Sequence, residues 1–179
     1  GYKYDGRWIP VAEDIVERYG LVAGDKVLDI GCAKGFLVKD LMTVCPGLEV
    51  FGLDVSRYAI TNCPEEVVAR LHLGNAIELA FPSDAFDCVL AINVLHNLNR
   101  DEVVQALREI NRVVKYKKNT FVQVDAYRSE LEKEIFLSWV LTAIHHGYPA
   151  EWLEIFDEAG FEGDYFWTIL EASGKNHKG

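Results

Sequence analysis

The run VLDIGCAKGF, residues 27–36, constrains this chain more than any other stretch. Val27, Leu28 and Ile30 make a short apolar, partly β-branched run, the pattern of a strand covered on both faces. Gly31 permits a sharp turn directly after it. Gly35 lets backbone approach a packed helix or a ligand where a Cβ would collide. Asp29 interrupts the apolar pattern with a carboxylate near the strand's carboxyl end, the end at which open α/β sheets bind ligands. Alone, the stretch also fits an ordinary strand–turn–helix that binds nothing.

Around it the chain alternates strand and helix. Pro10 suits a first helical position, Ala12, Ile15, Val16 and Tyr19 follow at helical spacing, and Gly20 stops the helix. Strands are expected at 26–30, 49–53, 70–73, 86–92 and 120–124, with helices over 35–44, 56–61 and beyond Asn99. Asn99 and Glu102 have the spacing of a capping box, and Val103, Leu107, Ile110 and Val114 share the face that follows. Such alternation predicts an α/β fold with a parallel, doubly wound sheet and right-handed crossovers.

The last third changes rhythm. One long helix is expected over 129–146, charged at first and apolar nearly all round over 135–144, which calls for cover on several sides. A further helix starts at Pro149, turns Trp152, Leu153 and Phe156 inward and ends at Gly160. Residues 164–170 read as a final strand and the tail from Ser173 as frayed. A single domain over 1–172 is expected, with 129–160 as a helical lid or substrate wall whose Trp139, Tyr148 and Trp152 line an acceptor pocket or seal the sheet. The apolar 135–144 face is a candidate homodimer surface.

Charge narrows the partners. With 18 basic against 28 acidic side chains the net charge is −10, which repels nucleic acid and anionic membrane. Lys115, Lys117 and Lys118 gather too few charges to reverse that, so the expected target is a small molecule. The cysteines, Cys32, Cys45, Cys63 and Cys88, show no metal-ligand spacing and read as reduced fillers, as in a cytoplasmic protein. No apolar run approaches the roughly 18 residues of a membrane span, and no signal peptide is visible.

Successive strands end in polar residues or glycine: Asp29 and Gly31, Asp54, Gly74 and Asn75, Asn93, Asp125. In a parallel sheet these ends share one edge, so the groups converge on one crevice. A carboxylate ending the second strand suits a ribose diol, because an ionised Asp only accepts hydrogen bonds. Asp54 therefore points to a nucleoside-bearing ligand. A dinucleotide fingerprint starting at Gly31 would need glycines at 33 and 36, where Ala33 and Phe36 stand. The pattern D-x-G-x-[GA]-x-G, with Asp29, Gly31, Ala33 and Gly35, fits instead.

On these residues the chain resembles the class I S-adenosylmethionine-dependent methyltransferases. VLDIGCAKGF is similar to the family's first motif, GLDVS (residues 52–56) to its acidic second-strand motif, and GNAIELAFPSDAFDCVLAINVLHNL (residues 74–98) to its adenine-binding and fourth-strand motifs. Ala33 stands where a middle glycine is commoner, and Asn75 where an Asp is commoner. The implied fold is three-layered and doubly wound, with a mostly parallel sheet, an antiparallel C-terminal strand and a helical cover segment. The implied cofactor is S-adenosylmethionine. Gly31, Cys32, Ala33 and Gly35 would wrap its methionine part, oriented by Asp29. Asp54 and Val55 would hold ribose and adenine, Asn75 and Ala76 the adenine edge, and Asn93 the methionine amine. Tyr4 and Arg7 would close over the carboxylate.

Methyl transfer from a sulfonium needs alignment and desolvation, and a base only when the acceptor must lose a proton. His96, Asp125 and Tyr127 are the candidates, followed by His145 and His146. The latter two are adjacent and would point about 100° apart on a helix, too far to share a metal. Two other readings remain: a binding or interaction module without turnover, and an NAD-dependent oxidoreductase, against which the glycine spacing argues.

Overall fold

A computed structural model describes residues 3–170. Six strands, β1 (Lys26–Ile30), β2 (Glu49–Asp54), β3 (Leu71–Leu73), β4 (Cys88–Ile92), β5 (Thr120–Asp125) and β6 (Asp164–Thr168), form one sheet in the order β3-β2-β1-β4-β5-β6. Every neighbouring pair is parallel. The order reverses between β1 and β4, so the carboxyl ends of these strands flank the crevice expected at such a switch point.

Helices α1 (Ile9–Tyr19) and α2 (Phe36–Val44) cover one face, and α4 (Arg100–Val113) and α6 (Pro149–Ala159) the other; α3 (Arg57–Thr61) and α5 (Glu130–Trp139) lie between strands in sequence. Val27, Val50 and Leu90 face α1 and α2, while Leu28, Ile30 and Val89 face α4 and α6. This two-sided burial is why β1 and β4 read as continuous apolar runs. The helix starts and stops follow local chemistry. Asn99 and Glu102 form the capping box of α4, Ser56 caps α3 through Ala59 N–H, and Gly20 and Gly160 end α1 and α6 in left-handed conformation.

Three expectations are corrected, the smallest being Leu153, expected inward on α6 but exposed, with Ile155 buried beside Trp152 and Phe156 instead. The C-terminal strand is parallel to β5, not antiparallel: Phe121 pairs with Asp164 and Asp125 with Thr168. Helix α6 carries the chain back to the amino end of β5 before β6 begins. There Asp164 is held by Arg18 at 2.7 Å and by the Tyr19 hydroxyl at 3.0 Å, and Tyr165 and Trp167 pack on Phe156 of α6. The expected helix over 129–146 stops at Trp139. Beyond it the backbone is used laterally, with Ile144 and His145 N–H donating to His96 carbonyl and Tyr127 N–H to Gly147 carbonyl. Those bonds replace the helical ladder that apolar periodicity alone suggested. Only Phe136 of α5 is buried; Leu137, Trp139, Leu141 and Ile144 are exposed. Trp152, one of the aromatics expected to line a pocket or seal the sheet, does the latter, fully buried with its Nε1 donating to Asp125 carbonyl. The tail from Ser173 lies outside the described residues. Among those described, no helix is long and apolar enough to cross a membrane.

Candidate functional site

The turn after β1 is built from left-handed residues. Gly31, Ala33 and Gly35 have φ of 75°, 48° and 70°. At Gly31 the reason is packing: a Cβ there would meet Val94 Cβ at 2.6 Å. The N–H groups of Gly31 and Cys32 both donate to Leu53 carbonyl, at 2.7 and 3.1 Å, which ties the turn to β2. Ala33, the one residue there that pays a Cβ penalty, donates its N–H to Asp54 Oδ2 at 2.8 Å. Asp54 Oδ1 accepts from Ser56 N–H at 2.8 Å. A carboxylate offers about four lone-pair sites, so Asp54 is oriented by two bonds and keeps capacity for a diol.

Two cavities meet at Gly31. One, of about 120 Å³, is walled by Trp8, Asp29, Cys32, Ala33, Lys34, Phe36, Leu37 and Ile92. The other, of about 300 Å³, is walled by Asp54, Val55, Gly74, Asn75, Ala76, Asn93, Val94, Asn97 and Leu98. The first abuts the start of α2, where no side chain caps the helix, so its first N–H groups remain available to an anion. The second carries the acidic and amide groups suited to ribose and adenine. S-adenosylmethionine, with an amino-acid end and an adenosine end, fits this division.

Of the residues expected to bind the cofactor, Asp29, Gly31, Cys32, Ala33, Asp54, Val55, Asn75, Ala76 and Asn93 all line one cavity or the other. Gly35 does not; it caps α2 and accommodates Leu71, whose side chain would lie 2.9 Å from a Cβ. Asn75 Oδ1 accepts from Ile77 N–H at 3.2 Å, and Asn93, left-handed at φ 56°, donates its N–H to Gln123 carbonyl. Burial and the nearby Asp54 carboxylate push Asp29 up to about 7, so an arriving ammonium group would meet a carboxyl ready to ionise. Cys32 is buried against Gly52, and burial pushes its thiol up, away from reactivity.

Tyr4 and Arg7 are engaged elsewhere. Tyr4 donates to the buried Asp40 at 2.6 Å, and Arg7 grips Asp5 on the surface. Trp8 takes the wall position in the opening segment instead, a residue in an aromatic stretch with no period to single it out. Phe36 is a wall as well as a helix residue, and Asn97, one position past His96, faces the larger cavity.

His96 and Asp125 come together, Nδ1 to Oδ2, at 3.3 Å. Asp125 backbone N–H also points at His96 Nδ1, at 3.2 Å, which makes Nδ1 an acceptor and leaves the imidazole proton on Nε2. Burial lowers His96 and raises Asp125, so both favour their neutral forms. Tyr127 lies apart from the pair. Its hydroxyl meets His146 Nδ1 at 3.2 Å inside an aromatic cluster with Phe136 and Tyr148, and Tyr148 in turn donates to Glu130. None of His96, Asp125 and Tyr127 lines either cavity. The His145 ring packs edge-on against Trp152, at 4.8 Å, while His146 faces Phe136, so the two histidines diverge, although they lie outside any helix.

Comparison with known proteins follows the same lines. Residues 28–122 match a family model described as a methyltransferase domain. A demethylmenaquinone methyltransferase of Symbiobacterium thermophilum is 31% identical over 118 residues, covering 62% of this chain and 46% of that protein. An uncharacterized methyltransferase of Schizosaccharomyces pombe is 25% identical over 189 residues, covering 94% and 71%. The chain thus spans about half the length of the first of these relatives. In fold it is similar to a putative methyltransferase solved in complex with the Haloferax volcanii Trm112 activator (TM-score 0.64, 20% identity, 87% of this chain and 75% of that one). It is equally similar to the YcgJ protein of Bacillus subtilis (TM-score 0.64, 20% identity, 84% and 68%). With the family model spanning more than half of it, the chain belongs to the class I, S-adenosylmethionine-dependent methyltransferase domain family.

Proposed function

We propose that this domain transfers the methyl group of S-adenosylmethionine to an oxygen, nitrogen or carbon nucleophile of a small-molecule acceptor. One observation carries the reading: paired cavities meet at Gly31, one against the uncapped start of α2 and the other against Asp54. When bound, the cofactor supplies a sulfonium-activated methyl group. Asp54 holds the ribose hydroxyls, Asn75 and Ala76 the adenine edge, the first N–H groups of α2 the carboxylate, and Asp29 with Asn93 the amine. Phe36, Leu37 and Ile92 exclude water around the methionine chain.

Relatives named as a demethylmenaquinone methyltransferase and, in Legionella pneumophila, a malonyl-[acyl-carrier protein] O-methyltransferase support a small or carrier-borne acceptor. The acidic surface supports the same class. In this reading His96 is a neutral donor through Nε2–H, held in that tautomer by the Asp125 backbone N–H, and the Asp125 carboxyl stays protonated beside it. Tyr127 shapes the far wall with His146. The segment 140–148, hung on His96 carbonyl, covers this side. A second copy docking on the exposed 135–144 surface is part of the same proposal, checked by sedimentation.

Calorimetry with S-adenosylmethionine, S-adenosylhomocysteine and NAD tests the reading. Binding of the first two and not the third is expected; binding of NAD alone would overturn it. A second reading, a cofactor-binding module without turnover, is favoured by the position of His96, Asp125 and Tyr127 outside both cavities. Labelled methyl transfer into a small-molecule extract, beside intact cofactor binding, separates the two.

A further inference from the structure

The sheet is covered unevenly. Over β1 and β4, α1 and α2 bury most of the face, but over β5 and β6 the same face meets, among the described residues, only the flank of α1. The result is a groove of about 680 Å³, the size of a small-molecule site. Val11 and Ile15 of α1 form one wall, Phe121 of β5 and Phe166 of β6 the other. Phe166, midway along the edge strand β6, is 56% exposed.

The groove adjoins the cofactor crevice. Gln123, in its lining, is the register partner of Ile92, which lines the methionine-side cavity; parallel strands lie about 4.8 Å apart. Gln123 Nε2 donates to Thr168 Oγ1 at 3.0 Å, and Thr168 Oγ1 reaches Asn93 Oδ1 at 3.5 Å, so a polar chain runs from groove to crevice. At its other end stand Arg18 and Asp164, joined in a two-pronged ion pair at 2.7 and 3.0 Å. Largely apolar walls, with Asp14 of α1 the one carboxylate among them and polar groups at both ends, define an occupant with an apolar body and polar termini.

We propose that this groove seats the apolar body of the methyl acceptor, with the acceptor's reacting end at Gln123 and Asn93 and its polar end beside Arg18 and Asp164. The acceptor is thereby an elongated, largely apolar small molecule and not a compact polar metabolite. This rests on the neighbouring crevice being the methyl-donor site.

The test uses anilinonaphthalene sulfonate as an apolar probe, with S-adenosylhomocysteine titrated separately. The wild-type protein is expected to bind the probe while saturated with S-adenosylhomocysteine. Val11→Trp, which fills the groove, and Phe166→Ser, which removes a wall, should each weaken probe binding about tenfold or more while leaving S-adenosylhomocysteine affinity within about twofold. Leu141→Asp, on the exposed segment after α5, should leave both unchanged. Probe binding that competes with S-adenosylhomocysteine, that is lost in Leu141→Asp, or that survives both groove variants would overturn the proposal. So would a dimer that Val11→Trp dissociates, because a second copy would then fill the groove. Failure of S-adenosylhomocysteine to bind the wild-type protein would instead overturn the donor-site reading.

Discussion

Ala33 donates its backbone N–H to Asp54 Oδ2 across 2.8 Å, so the turn after β1 and the carboxylate ending β2 form one unit. The bond holds a non-glycine residue left-handed at φ 48° and fixes the carboxylate that faces the larger cavity. The two cavities are therefore mechanically joined: disturbing the turn moves the Asp54 carboxylate.

Asp54→Ala removes both that strut and the charged acceptor. Binding of S-adenosylhomocysteine is expected to weaken by about 1.5–3 kcal/mol, the range for hydrogen bonds to a charged group. Isothermal calorimetry measures it, and unchanged affinity would remove the ribose role from Asp54.

With Asp29 at the cofactor's amine, cofactor binding is expected to depend on pH. Its folded value of about 7 lies above the ordinary carboxyl value of 3.8, so the folded protein holds a proton that the unfolded chain releases. Stability from this group is complete below about pH 4 and is lost as pH rises to 7, a difference on the order of 4 kcal/mol. Asp29→Asn should therefore stabilise the free protein at pH 8, read by urea denaturation. The cofactor's ammonium favours the ionised form, so binding near pH 7 should release a proton. Calorimetry in buffers of different ionisation enthalpy detects that release, and a buffer-independent enthalpy would contradict it.

Gly31→Ala should destabilise the fold by about 2–4 kcal/mol, combining the left-handed backbone with a Cβ driven into Val94. Adding Val94→Ala removes the collision but not the backbone cost. The double variant should recover part of the loss, and additive losses in thermal unfolding would show that the contact is not the cause.

Trp152→Ala is expected to cost about 3–5 kcal/mol, since the indole is fully buried beneath β5. Trp152→Phe keeps most of the volume but strands Asp125 carbonyl, for about 1–3 kcal/mol. Because that carbonyl belongs to the residue beside His96, the Phe variant should also shift the imidazole titration seen by NMR. An unmoved titration would uncouple Trp152 from the pair.

Much of this was legible beforehand because it is local. The apolar run at 27–30 with glycines at 31 and 35, the Asn99–Glu102 box and the stops at Gly20 and Gly160 depend on neighbours a few residues away. What was illegible depends on distant partners. Residues 140–146 have helical periodicity, yet His96 carbonyl, more than forty positions upstream, takes the N–H groups of Ile144 and His145. Trp8 and Asn97 carry no pattern that marks them as walls of the site.

The sequence by itself determined the α/β alternation, the glycine turn and the row of polar residues ending the strands, and, through the family these motifs resemble, the kind of cofactor. Periodicity and backbone preference act over one or two turns of chain, which suffices for those features. Only the tertiary structure decided the direction of β6, the neutral pairing of His96 with Asp125, and the groove that Phe166 shares with α1. Each is set by contacts between segments far apart in the chain. Strand direction follows from where α6 delivers Asp164 to Arg18 and Tyr19, and a proton's place on His96 follows from which backbone N–H meets its Nδ1.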